Sequence, residues 1–274
     1  MGTTSDKLTY LNTTKEQLKT KINSLGGSIT ASTPFRDYVD ALDDISGGGG
    51  YPPDWSLIGY SDTPPGILEG FEYAQEIQEN WNSSITDMSS KFFDDKKLIF
   101  MPLVDTSNVT SMYNAFTQAY GLISIPLLDT SKVGSFYLAF NQTSIETIPL
   151  IDTSSATYMR SMFESCGNLK SIPQIDTSKV VNVNSMFAGC SHLTTIPVLD
   201  FSSVMDYSFD NCFQGCTRLS DGSLNNIMRT LIGATRITTR KTLRAFGIDS
   251  DQATRCQSLS NYQDFLNAGW TTGY

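Results

Sequence analysis

Pro102-Leu103-Val104-Asp105-Thr106-Ser107-Asn108-Val109 returns as Pro126-Leu127-Leu128-Asp129-Thr130-Ser131-Lys132-Val133. It returns again as Pro149-Leu150-Ile151-Asp152-Thr153-Ser154 and as Pro173-Gln174-Ile175-Asp176-Thr177-Ser178-Lys179-Val180, and a fifth copy carries Pro197 and Asp200. Both the prolines and the aspartates step by 24, 23, 24 and 24 residues. Phe116, Phe140, Phe163, Phe187 and Phe213 follow in the same rhythm, the last delayed by a two-residue insertion, and Leu122, Ile145, Leu169, Leu193 and Leu219 close each unit. Cys166, Cys190 and Cys216 share one position, held earlier by Ala119 and Thr143. Ile85, Met88, Phe92 and Leu98 form a degenerate preceding copy with Trp81 where the aspartate belongs, the pattern of a capping repeat.

A fixed period of this length means that one unit cannot bury its apolar face alone and that stacking neighbours makes a continuous core. The Ile-Pro and Leu-Asp ends suggest a short strand per unit, and the Val-x-x-Met-x-x-x-Phe spacing suggests a helical turn opposite it. Successive strands would pair in parallel about 4.8 Å apart. The expectation for 101–219 is therefore an α/β repeat solenoid, leucine-rich-repeat-like, with repeats of about 24 residues.

The flanks read differently. Residues 1–46 predict a small all-α module. Thr13-Thr14-Lys15-Glu16 has capping-box form, Leu11, Leu18, Ile22 and Leu25 make a helical stripe, and Thr33-Pro34 starts a second helix through Phe35, Val39, Leu42 and Ile45. So small a piece buries little core alone. It is expected to anchor or oligomerise, with Leu11, Leu18, Phe35 and Val39 as the candidate anchor. Residues 47–67 form a Gly/Pro-rich linker opened by Gly47–Gly50. Residues 68–100 hold a helix over Leu68–Trp81 and the degenerate copy, as an N-terminal cap. Residues 220–274 predict a helical C-terminal cap, with Leu224, Ile227, Met228, Leu231 and Ile232 at helical spacing.

Net charge is −9, which argues against nucleic acid. The exception is 220–274, where six Lys and Arg outnumber four Asp and Glu; Arg229, Arg236, Arg240, Lys241 and Arg244 suit either an acidic partner or a solvated helix face. No apolar run reaches the length of a membrane span, so no membrane insertion is expected, and no basic start leads into an apolar stretch of secretory type. Five cysteines, four inside the repeats, read as small buried residues of a chain made in a reducing compartment.

Three constellations invite a chemical reading. Apolar-Asp-Thr-Ser resembles an aspartic protease loop, but it recurs with every unit, and a dyad needs two carboxylates face to face. Asp before Thr and Ser also starts a turn by accepting the next free backbone N–H groups, and that structural reading is preferred. Cys166, Cys190, Cys212 and Cys216 touch on zinc, yet column positions do not converge on one tetrahedron. His192, the single histidine, sits in a repeat turn whose counterparts are Asn168 and Arg218, a poor place for a catalytic base. No cofactor, no metal and no catalytic residue is expected. Variable positions on a repeat scaffold are where recognition is placed. Tyr113, Tyr137, Arg160 and Asn184, eight residues after each aspartate, are the candidate partner-binding residues.

The Ile-Pro-x-x-Asp-Thr-Ser-x-Val…Met-Phe-x-x-Cys-x-x-Leu unit resembles the BspA-like leucine-rich repeats of bacterial surface proteins. Lys7–Lys15, Phe35–Val39, Ala253–Tyr262 and Ala268–Tyr274 resemble the termini of bacteriophage tail and structural proteins. The two resemblances imply a virion protein (a head or tail fibre, tail or baseplate component). It would assemble in the host cytoplasm beside other virion structural proteins and meet the bacterial host surface afterwards. A homo-oligomer is implied, with a trimer as one option. The alternative they leave open is a bacterial cell-surface adhesin of the BspA-like type.

Overall fold

The computed structural model describes residues 67–273, with side chains from 73 onward. The anchor residues Leu11, Leu18, Phe35 and Val39, the all-α module and most of the linker lie outside the described residues. The chain divides into two compact units, Met1–Glu69 and Gly70–Tyr274, and the second is described here. The described elements are α1 (Ile67–Glu79), which crosses the boundary, then α2 (Asp221–Gly233), α3 (Ser250–Cys256) and α4 (Tyr262–Asn267).

The α/β leucine-rich-repeat-like solenoid does not form. From residue 80 to 220 there is no helix and no strand, and the parallel pairings are single bridges such as Asp87↔Ser111, Ser111↔Ser135, Ser135↔Tyr158 and Tyr158↔Asn182. The units stack all the same, but they are built from turns. In the second unit the N–H groups of Met112, Asn114, Phe116 and Gln118 donate to the carbonyls of Ser135, Tyr137, Ala139 and Asn141 one unit on, at 2.8–3.0 Å. The alternate N–H groups, of Ala115, Thr117 and Ala119, fold back onto Met112, Asn114 and Phe116 at 3.0–3.4 Å. Every second donor is thus spent within the unit, so no extended strand develops, yet the backbone of the segment is satisfied. Where a strand was expected, prolines 102, 126, 149, 173 and 197 each remove a donor from the ladder.

This zigzag requires left-handed backbone twice per unit. Ser90, Asn114, Leu138, Ser161, Ser185 and Asn211 have φ of 53–59°, and Asp94, Gln118, Gln142 and Ser165 have φ of 53–63°. Gly189 and Gly215 take the second position in the last two units, at φ 78° and 77°. Most occupants are small, polar or glycine, the residues that visit this region at least cost. Leu138 is the exception.

The core is a set of columns, each repeating one position along the stack. Phe92, Phe116, Phe140, Phe163, Phe187 and Phe213 stack with ring centroids 5.3–5.6 Å apart and planes within 9°. Beside them run Val109, Val133, Ala156, Val180 and Val204, then Leu122, Ile145, Leu169, Leu193 and Leu219, all fully or almost fully buried. Burial of repeated apolar surface, about 25 cal/mol per Å², is the main stabilising term.

Both described ends are closed by side chains that replace a missing neighbour. Within the stack, Thr106 and Thr130 donate their hydroxyls to the carbonyls of Asp129 and Asp152 at 2.9 and 2.8 Å. At the start, the Trp81 indole N–H does this for the Asp105 carbonyl at 2.8 Å. At the far end, α2 lies along the last unit. Its Ser223 and Thr230 hydroxyls accept the N–H groups of Ile196 and Leu199 at 3.0 and 2.9 Å, and its Asn226 amide donates to the Ile196 carbonyl. Buried Gln252 of α3 donates to the Cys216 carbonyl at 2.7 Å. Phe209, Phe246, Phe265 and Trp270 pack into an aromatic plug over the last unit.

Candidate binding face

Asp105, Asp129, Asp152, Asp176 and Asp200 each accept the N–H of the residue two ahead (Ser107, Ser131, Ser154, Ser178 and Ser202) at 2.9–3.0 Å. These are Asx turns. Serine hydrogen bonds hold the Asp105 and Asp176 carboxyls below the usual carboxylate range, against burial. In all five units the carboxylate accepts the N–H of its own turn, so the motif works as a turn starter.

The column thiols are donors to backbone. Cys166, Cys190 and Cys216 Sγ reach the carbonyls of Phe140, Phe163 and Phe187, one unit back, at 2.9–3.1 Å. Thr143, at the same position in the preceding unit, instead donates its hydroxyl to the Phe140 carbonyl of its own unit at 2.9 Å, the carbonyl that Cys166 also reaches. Burial pushes Cys166 up to about 11 and Cys216 up to about 12, far from the thiolate a nucleophile or metal ligand needs. No cluster of His, Cys, Asp or Glu able to hold a metal occurs among the described residues. His192 is exposed, its Nδ1 2.6 Å from the Gly167 carbonyl of the preceding unit.

The variable positions do come together. Tyr113 and Tyr137 lie ring to ring, centroids 5.3 Å apart and tilted by 48°. The Arg160 guanidinium sits over the Tyr137 ring at 5.6 Å. Tyr113, Tyr137 and Arg160 are therefore one contact chain across three units, each supporting the next. Asn184 is spent on the scaffold: its amide donates to the Tyr207 carbonyl at 3.2 Å and accepts the Asp210 N–H at 2.8 Å. It positions backbone more than it offers itself to a partner.

Three exposed side chains outside the sequence reading lie in the corresponding turn segments of their units. Tyr158 is 51% exposed, Met205 48% and Tyr207 63%. Tyr158 lies two residues before Arg160, at the bridge position where other units carry Ser111, Ser135 and Asn182. Tyr207 lies in the insertion that delays Phe213 and has a left-handed φ of 63°. That insertion was the available signal.

A family model described as "Mycoplasma protein of unknown function, DUF285" matches residues 67–195 and 123–227, overlapping stretches that together span more than half of the chain. No curated protein and no solved structure matches.

Proposed function

We propose a function from one premise: the chain belongs to the DUF285 family, a membership that leaves its activity open. The proposed function is binding without catalysis. The chain is a phage virion appendage protein, in a head or tail fibre, tail or baseplate. Its N-terminal residues attach it to other virion structural proteins, and its stack of turns presents the Tyr113–Tyr137–Arg160 face to the bacterial host surface. The observation that carries this reading is the contact chain itself. Three side chains at one variable register position are braced against each other on a scaffold whose backbone bonds are already made. Rigid aromatic anchors of this kind contact a partner at low entropic cost. The turn aspartates and buried thiols support the non-catalytic part, since each has a structural task.

Two measurements test it. Mass spectrometry of purified particles should find the chain at fixed stoichiometry, and its absence would remove the virion assignment. The labelled full-length protein should bind host cells saturably, and the pair Tyr113→Ala with Tyr137→Ala should abolish binding at unchanged circular dichroism. Equal binding by that variant would remove the face. The family's description as a Mycoplasma protein favours one second reading, a bacterial cell-surface interaction protein of the BspA-like type. An in-frame leader upstream of the gene decides for that alternative.

A further inference from the structure

The register column that carries Tyr113, Tyr137, Arg160 and Asn184 does not stop at Asn184. Asn114 N–H donates to the Tyr137 carbonyl, Ser185 N–H to that of Asp210, and Asn211 N–H to that of Ala245. The column therefore runs through Asp210 into the segment after α2. There an open pocket of about 400 Å³ is lined by Asn211, Arg240, Thr242, Arg244 and Ala245.

Three features give this pocket a chemistry. First, two guanidinium groups line it in a chain whose net charge is −9. Arg240 Nη1 donates to Asp210 Oδ2 at 2.6 Å, which fixes the side chain, and a guanidinium with five N–H donors has others left for a ligand. Second, Thr242 Oγ1 accepts the Ala245 N–H at 3.0 Å, so its own hydroxyl proton is directed elsewhere. Third, Arg240 has φ 54°, an unfavourable conformation for a long side chain. The preceding turn holds it there: Asp206 accepts the N–H groups of Thr238 and Thr239 at 2.8 and 3.0 Å and the Thr238 hydroxyl at 2.6 Å. Those bonds fix the Arg240 backbone at the wall of the pocket, in the left-handed conformation that the turns of the stack also use.

We propose that this pocket is an anion-binding site for a carboxylate or phosphate group. Arg240, its charge shared with Asp210, and Arg244 supply guanidinium N–H donors, and Thr242 and Asn211 supply orienting donors. Planar guanidinium forks match both oxyanions, and charge-assisted bonds are the strong ones. The site stands apart from the tyrosine face, although it ends the same column.

The test is titration of the full-length protein, at low salt, with inorganic phosphate, glucuronate and neutral glucose, followed by calorimetry. Binding of phosphate or glucuronate and not of glucose is expected, weakening as salt is added. Binding by phosphate and glucuronate alike identifies the bare oxyanion as the ligand. Binding by glucuronate alone identifies a sugar acid. Arg244→Gln should weaken the bound anion about tenfold or more, and Arg244→Lys should restore part of the loss. Arg240→Gly removes a guanidinium at a φ that glycine accepts, so it should fold, by circular dichroism, and still lose affinity. The inference is overturned if neither anion binds, if glucose binds as well as glucuronate, or if folded Arg244→Gln and Arg240→Gly bind like the parent. Tyr113→Ala with Tyr137→Ala should leave this titration unchanged, which separates failure of the pocket from failure of the tyrosine face.

Discussion

Replacing Phe163 by leucine tests the claim that the phenylalanine column is a cooperative stack. Phe163 is fully buried, with Phe140 and Phe187 at 5.6 Å on either side and planes within 8°. Leucine keeps most of the apolar volume, so the chief loss is two ring–ring contacts, about 0.5–1.5 kcal/mol each beyond area burial. The expected cost is roughly 1–3 kcal/mol. Phe92, at the described start of the column, meets one ring of the column, Phe116 at 5.4 Å. Phe92→Leu should therefore cost about 0.5–1.5 kcal/mol, half as much. Urea unfolding followed by circular dichroism gives both values, with an unchanged denaturant slope as the condition for comparing them. If Phe163→Leu costs no more than Phe92→Leu, the rings act as independent buried side chains and the argument from stacking fails.

Gly189 has φ 78°, and an added Cβ would lie 3.3 Å from the Ser165 Cα, so Gly189→Ala should lower stability by about 1–2 kcal/mol in the same assay. The five cysteines are buried, and burial raises their thiols, so a thiol reagent at pH 8 should titrate them only after urea is added; fast labelling of native protein would contradict the packing. Hydrogen bonds from the Thr238 hydroxyl first, and then from the Thr239 and Thr238 N–H groups, hold Asp206 down at about 2. Its folded value lies below the unfolded one, so its contribution is present above about pH 4 and is lost as pH falls toward 2. Asp206→Asn keeps an acceptor oxygen for the Thr238 and Thr239 N–H groups and should flatten the acid limb of a stability–pH curve; an unchanged limb would mean that other carboxylates, such as Asp105 and Asp176, carry it.

The columns were legible in the sequence because period alone places them: Phe116 to Phe213 and Leu122 to Leu219 fall one above another whatever the backbone does between them. The turn role of Asp-Thr-Ser was legible too, since a carboxylate two residues before a free N–H makes its own local bond. The strand and helical turn assigned to each unit were wrong for a backbone reason. The spacing of Val109, Met112 and Phe116 fits a helical turn, but it equally fits a chain that alternates inward turns with outward hydrogen bonds, and only the neighbour's carbonyls select the second. The candidate residues were legible as variable positions. The chain Tyr113–Tyr137–Arg160 was not, because contact depends on ring orientation between units. Asn184 looked equivalent to them, and its hydrogen bonds to Tyr207 and Asp210 took it inward.

By itself the sequence determined what repeats, which side chains are buried and where the repeats end. These follow from a one-dimensional apolar pattern, since a side chain that recurs at each step of a stack meets its own copy. Tertiary structure alone decided how the backbone donors divide between a unit and its neighbour, which polar side chains of α2 and α3 close the last unit, and that Arg240 and Arg244 share a pocket with Asn211. Each of these is a pairing of groups far apart in the chain, fixed by the geometry of stacking, and no local pattern of residues encodes it.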